Sequence, residues 1–478
     1  MSADRAGVEA PQQAAPGTPV DRERIGRNAR TRVPPEAHAE LTTRGRPSPV
    51  RVVADQMSAR VAELVPIRHS RMSVSPFTFY RGAAAVMAGD LAGTATSGLQ
   101  VQLCGDAHLA NFGMFGSPER TLLFDINDFD ETLPGPWEWD LKRLTASLVV
   151  AGRDNEFAAK DTRMVVLAAV RRYRDAMTSF AGLGNLAVWY SRVDTKAAEG
   201  LLGDRLDPRM RKRIAKSTAK ARRRDHLRAL DKLTTIVDGH RRITPDPPFV
   251  VPISALAGGL GRDEIDATVR EVLAEYAASL GPDHRELARS YTFVDAARKV
   301  VGVGSVGTRC WIVLMRGRDD DDPLFLQVKE AQESVLARHL GAGAYDNEGR
   351  RVVAGQRVMQ AAGDIFLGWH RTVGLDGLTR DFYVRQLHDW KGSATLETLA
   401  PEGLGLYAEL CAWTLARAHA RSGDRIAIAA YLGDDDRMPQ AVADFAHSYA
   451  DLNERDFATF SAALASGELP GAEAGTTG

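Results

Sequence analysis

The residues after the third glycine of VGVGSVG, residues 301–307, decide which fold the chain can enter. Gly302, Gly304 and Gly307 keep a GxGxxG spacing. A dinucleotide site of that spacing needs a helix directly after the third glycine, so that the pyrophosphate sits at its N-terminus. Here that place is taken by TRCWIVLMRG, residues 308–317, rich in β-formers and closed by a Gly/Asp-rich turn. The pattern therefore predicts strand, glycine loop, strand. After RGRDDDDP, the segment LFLQVKEAQESVLARHL, residues 324–340, reads as a strand closing at Lys329 and passing into a helix.

The chain around this hairpin has 478 residues, 44% hydrophobic and 26% charged, enough for a large core in two lobes or domains. A net charge of −1 argues against a generally basic nucleic-acid surface. Cys104, Cys310 and Cys411 lack CxxC spacing and form no even set, which suits a reducing cytosol. The N-terminal stretch has no signal-peptide core, and no run of about 18 apolar residues occurs, so a cytoplasmic protein without a membrane span is expected.

Residues 1–45 and 465–478 read as disordered tails. Between them no repeat is visible. Residues 49–92 look helical with one extended piece, FTFYRG (77–82). LQVQLCGDAH (99–108) and RTLLFDINDFDE (120–131) read as strands ending in polar loops. The pattern from Trp139 to about Ser290 is mainly helical, broken by ITPDPPFVVPI (243–253). Strand character returns over 291–330 and helix over 404–422, with Gly423 as a stop. The expected division is a catalytic-loop and helical lobe (46–290), a β-rich lobe (291–395), and helices packing back on the first lobe (396–464).

GDAHLAN, residues 105–111, resembles the GDxHxxN catalytic loop of aminoglycoside-phosphotransferase-like and choline-kinase-like enzymes, relatives of the protein kinases. The chemistry asks for an Asp that orients an attacking hydroxyl and an Asn about five residues on that holds magnesium. The resemblance implies Asp106 as base, Asn111 as metal ligand and His108 as a brace. A second acid should follow on a neighbouring strand. Asp128, preceding Phe129, is the first choice for this metal ligand, with Asp125 and Asp130 as alternatives because strand register is not visible in sequence. Asp140, in PWEWDLKRL, would brace the loop. In the same resemblance Gly302, Gly304 and Gly307 cover the phosphates of ATP, and Lys329 pairs the α- and β-phosphates with Glu333, or Glu330, as its acidic partner.

DFYVRQLHDWKG (381–392) then fits a strand linking the lobes, and LARAHARSGD the helix before the catalytic loop, with His419 as a packed residue. Kinases run from glycine loop to catalytic loop, whereas this chain runs the other way. The implied fold is α+β and protein-kinase-like, bilobal, circularly permuted, with a large helical part.

At whole-chain level LVPIRHSRMSVSPFTFYRGAAAVMAGDLA (64–92), CGDAHLANFG, FDINDFDETLPGPWEWDLKRL, VGVGSVGTRC and LQVKEAQESVL together resemble the bacterial family called domain of unknown function 2252. Arg81 belongs to this pattern, either near phosphate or in a structural ion pair. The expected activity is ATP- and Mg2+-dependent phosphoryl transfer to a hydroxyl of a small-molecule or protein acceptor. The alternative is a kinase-fold protein that binds nucleotide or transfers AMP. Asp106-x-His108 also fits a metallophosphoesterase, but the GNH segment of such enzymes is absent. The basic run 212–232 reads as a solvated helix face.

Overall fold

The computed structural model describes residues 17–205, 208–222, 226–374, 376–387, 390, 392 and 394–471. The architecture is α+β. At its centre lies the helix Trp137–Asp154, buried from Trp137 to Gly152. A helix this enclosed needs neighbours on every side. They are Ala159–Ala181, Pro401–Ser422 and Arg437–Ala465, together with Pro76–Gly82. Leu141, Leu144 and Leu148 join Val166, Tyr173, Leu415 and Phe445 in the main core.

The β-rich part is a six-stranded antiparallel sheet in the order Gly368–Val373, Thr379–Gln386, Pro323–Ala331, Cys310–Arg316, Thr292–Lys299, Val250–Pro252. Thr292–Lys299 and Cys310–Arg316 pair antiparallel across the glycine loop, as the β-forming residues after Gly307 require. Helix Arg262–Ala277 covers the outer face, where Tyr276 and Leu280 pack on Val313, Met315, Leu326 and Val384. Val250–Pro252, inside the Pro-rich break of the helical stretch, joins the sheet as its edge strand, while Arg262–Ala277 and Pro282–Arg289 are helical as the sequence pattern implies. Short strands Thr234–Val237 and His240–Ile243 also interrupt that stretch. The basic run 212–232 falls on helices Pro208–Arg222 and His226–Leu233, with 223–225 outside the described residues.

Three further expectations are corrected. FTFYRG is not extended but lies in helix Pro76–Gly82, started by a Ser75–Thr78 capping box, with Phe77, Phe79 and Tyr80 buried. Its aromatic residues mimic a strand, and tertiary burial overrides that propensity. The expected N-terminal tail lies outside the described residues up to 16, and from Pro19 to Arg32 it is a helix capped by Thr18. This helix docks through ion pairs, Arg22 with Asp424 and Arg30 with Asp435, each at 2.8 Å. At the other end Leu469 is buried beside Phe460, so the expected tail is packed there too, and 472–478 lie outside the described residues. Among the described residues no helix is long and apolar enough to cross a membrane.

The N-terminal helix approaches its neighbour so closely that a Cβ on Gly26 would stand 2.1 Å from the carbonyl oxygen of Ala427. Gly26→Val should therefore cost about 1–3 kcal/mol, the range for overpacking. The loss should register as a lower urea midpoint together with faster proteolysis within 17–45. An unchanged midpoint would mean that this helix adds little to the fold.

Candidate functional site

One face of the central helix holds the GDAHLAN loop. Asp140, Arg143 and Ser147 recur at three and four residues, so their side chains line up on that face. Asp140 accepts from the backbone N–H groups of Cys104 (2.8 Å) and Gly105 (3.0 Å), and Ser147 Oγ accepts from Leu109 N–H at 2.9 Å. His419 Nε2 lies 3.2 Å from Asp140, and Tyr173 lies 2.8 Å from His419 Nδ1. Asp140 and His419 thus brace the loop. Gly105 has φ +84°, and a Cβ there would meet Glu131 O at 2.2 Å, so both conformation and space demand glycine.

Arg143 donates twice to Asp106 Oδ1, from Nε at 2.9 Å and from a terminal nitrogen at 2.7 Å. It also donates to Tyr80 O at 2.8 Å and stacks over the Tyr80 ring at 3.9 Å. The other carboxylate oxygen faces His108 Nε2 at 3.6 Å. Burial pushes the His108 imidazole down to about 4 against the pull of Asp106, so it is neutral at pH 7. Asn111 donates to the carbonyls of Asp106 (3.0 Å) and Asp128 (3.1 Å), tying the two acidic loops together. With both amide protons spent, its Oδ1 is the atom left to ligate or accept.

The strand Leu122–Ile126 and the loop after it carry the second set of acids, Asp125 on the strand and Asp128 and Asp130 beyond its end. Asp125 turns inward, accepting from Arg417 (2.6 Å) and Ala361 N–H (2.8 Å), both carboxylate oxygens being used inside the core. It is not a cleft ligand. Asp128 and Asp130 both meet Lys329, whose side chain is only 2% exposed. Lys329 Nζ lies 3.3 Å from Asp128 Oδ2 and also contacts Asp130, and Tyr383 donates to Asp130 at 2.8 Å. Burial alone would raise Asp128, yet Lys329 and Arg385 hold it below the usual carboxylate range. Burial and the Asp128 charge leave Asp130 raised. Burial opposes the Lys329 charge, but the two carboxylates keep its pKa well above the ordinary value.

Neither glutamate expected beside Lys329 reaches it. Successive strand residues point to opposite faces, so Glu330 turns away and accepts from Arg309 N–H at 3.0 Å. Glu333 is exposed, and residues 332–336 are not helical, the next helices being Ala337–Leu340 and Glu348–Met359. Arg143, Arg385 and Tyr383 were not singled out from sequence. Arg143 was legible in principle, three residues after Asp140 on one helix face.

The glycine loop lies over this cluster. Ser305 Oγ is 3.5 Å from Asp130 Oδ2, and a Cβ on Gly304 would sit 3.4 Å from Arg81 O. Gly307, at φ +90°, accepts from Val61 N–H at 2.7 Å. Gly302 is open to solvent. Cross-strand pairing sets Cys310 opposite Lys329, Ile312 opposite Gln327 and Leu314 opposite Phe325, so these side chains share the lysine face. Farther from Lys329 this face is covered: Ala229, Leu230 and Ile243 pack on Ala297, Ile312, Leu314, Phe325 and Leu387.

Among the described residues no group of three or more His, Cys, Asp or Glu side chains is arranged to hold a metal. Magnesium held partly by a nucleotide needs only one or two protein carboxylates or amide oxygens. Asn111 Oδ1 and the Asp128 carboxylate, whose residues are joined by the 3.1 Å bond from Asn111 to Asp128 O, could supply such oxygens.

A cleft of this make-up belongs to a family that has been recognised by sequence. The model described as "Uncharacterized protein conserved in bacteria (DUF2252)" matches residues 60–463, and the chain belongs to that family. No curated protein and no solved structure matches it.

Lys329→Met removes the cation between two carboxylates and should destabilise the fold by about 2–4 kcal/mol near pH 7, below the full cost of breaking a buried pair because the carboxylates are partly exposed. The sign with pH comes from the shifts. The stability that depressed Asp128 contributes in the wild type is present above its unfolded pKa and lost as pH falls, while in the variant protonation relieves the carboxylate repulsion. The gap between the two proteins should therefore narrow below about pH 4, measured by urea unfolding across pH. A gap that widens on acidification would contradict the ion-pair account.

Proposed function

We propose that the chain is an ATP- and magnesium-dependent phosphotransferase acting on a hydroxyl acceptor, built on a kinase-like fold whose catalytic-loop part precedes its glycine-loop part. The observation that carries this reading is the meeting of three distant motifs at Lys329: DFD through Asp128 and Asp130, GDAHLAN through Asn111, and the glycine loop through Ser305. Glycine hairpin, lysine strand and a later helix, Glu348–Met359, come in the order kinases use. A second observation supports the permutation. The helix Pro401–Ser422 ends against the strand that enters the catalytic loop, with Gln102 N–H donating to Ser422 Oγ at 3.1 Å. Space thus joins what sequence separates by about 320 residues.

In this reading Asp106 Oδ2 takes the acceptor hydroxyl, while Arg143 fixes the other oxygen. The hydroxyl oxygen forms a bond to the terminal phosphorus as its proton passes to Asp106, and the bond from that phosphorus to the ADP oxygen breaks. Asn111 and Asp128 would hold magnesium, which supplies charge neutralisation between the phosphates. Lys329 exchanges its carboxylate contacts for phosphate oxygens, and the glycine loop excludes water. The apolar end of the lysine face, where a base would lie against the sheet, is taken up by Ala229 and Leu230. Nucleotide entry there requires helix His226–Leu233 to move.

Incubation with labelled ATP and magnesium, with product analysis separating γ-phosphate transfer, AMP transfer and hydrolysis, tests the activity. Asp106→Asn should keep ATP binding, read as a raised melting temperature, and lower transfer by about 100-fold or more. Asn111→Ala should raise the magnesium concentration needed. Wild-type melting unmoved by millimolar ATP and magnesium would sink the proposal.

Hydrogen exchange offers a separate check on the cleft. Adding ATP and magnesium should speed amide exchange within 226–233 as the helix leaves the sheet. Slower or unchanged exchange there, with ATP bound, would locate the base elsewhere.

A further inference from the structure

The cations around the site differ in what they hold. Lys329 is shared by Asp128 and Asp130, Arg143 grips Asp106, and Arg385 donates to Asn127 O and Gln327 Oε1, each at 2.9 Å. Arg60 donates to Val306 O. Arg81 differs: among the described residues it forms no ion pair, and its buried Nε has no hydrogen-bond partner. A guanidinium partly removed from water without an acceptor is costly unless a ligand completes it.

Its position says which ligand. Helix Pro76–Gly82 is wedged between the two loops of the site. Tyr80 O accepts from the same Arg143 guanidinium that grips Asp106, and one residue later Arg81 O lies against Gly304. From there the side chain passes over the Phe77 ring, Cζ 6.0 Å from its centroid. Asp106 and Glu397 are the acids that act on its charge, which in turn lowers His108, so the guanidinium stands at the GDAHLAN side of the site. Lys329 stands with the acids of the other loop. A group that lies under the tip of the glycine loop and also beside Asp106 is the one being transferred.

We propose that Arg81 binds the terminal phosphate of the nucleotide, serving as an arginine supplied by the same chain to the transferring phosphoryl group; this rests on the phosphotransferase reading above. The planar fork of arginine suits a phosphate's paired oxygens, and such an arginine meets charge that builds up on the equatorial oxygens during transfer. The N-terminal helical segment is then part of the nucleotide site and more than a scaffold for it.

The test compares ATP and ADP affinities, measured by calorimetry with magnesium, in wild type, Arg81→Met and Arg81→Lys. Met keeps the stem over Phe77 and removes the charge. It should weaken ATP by at least about tenfold while leaving ADP within about twofold, since one charge-assisted contact is lost only with the terminal phosphate. Lys should fall between. Equal weakening of both nucleotides, or of neither, overturns the proposal. If Arg81→Met does not fold, Arg81→Lys decides: a reduced preference for ATP over ADP supports it, an unchanged preference overturns it. If the wild type binds neither nucleotide, the phosphotransferase reading fails by itself, and inorganic tripolyphosphate becomes the probe. Binding by wild type that Arg81→Met loses keeps Arg81 as a polyphosphate ligand; no binding, or equal binding, ends that role as well.

Discussion

A lysine ammonium enclosed by protein and shared by two carboxylates holds the two halves of this molecule in register. Lys329 projects from the third strand of the glycine-hairpin sheet, and Asp128 and Asp130 come from the loop after Leu122–Ile126, about 200 residues earlier. Neither side tolerates the burial alone: an unpaired ammonium would shed its proton, and two adjacent carboxylates would retain one. Together they satisfy each other, and Tyr383 and Arg385 from the neighbouring strand complete the enclosure. The same contact that fixes the halves is the one an anionic ligand would exchange for its own oxygens. Structural cohesion thus depends on a single cation, the one that the proposed function also uses.

The half that carries GDAHLAN achieves its order differently. Its loop is bound along one face of the central helix, where Asp140, Arg143 and Ser147 each take a backbone or side-chain group of residues 104–109. A buried helix is a rigid rail, and side chains spaced along it give a loop several fixed points with little entropy left to lose. The positive φ of Gly105 then turns Asp106 toward the cleft. Asp106 is positioned by Arg143, which is itself fixed by Tyr80 O and the Tyr80 ring.

Much of this was legible in the residues. The β-forming run after Gly307 settled the hairpin because a helix former was needed for the alternative, and the GDAHLAN spacing marked a loop that does lie beside the DFD acids. Asp140, which the resemblance implied as a brace, accepts from the N–H groups of Cys104 and Gly105. What misled were local patterns whose meaning is set by neighbours. FTFYRG reads as a strand because aromatic residues favour pleated surfaces, yet here they fill the spaces between helices. Asp125, Asp128 and Asp130 are alike in sequence, and only tertiary packing sends the first to Arg417 and the other two to Lys329. Glu330 and Glu333 follow the lysine in sequence, but alternation turns one away and the absence of a helix leaves the other in solvent.

By itself the sequence determined the local elements whose residues admit one conformation: the glycine hairpin and the helix ending before Gly423. These rest on backbone sterics and short-range periodicity, which travel with the residues. Tertiary structure alone decided which charges meet. Ion pairs such as Lys329 with Asp130 or Arg417 with Asp125 join residues hundreds of positions apart, and nothing in the spacing of either partner encodes the other. It also decided that the Pro401–Ser422 helix would end beside Gln102, about 320 residues away in sequence. The physical reason is that burial is collective: a charge enters a core only where the packing of several elements delivers its counter-charge, and that is a property of the assembled chain.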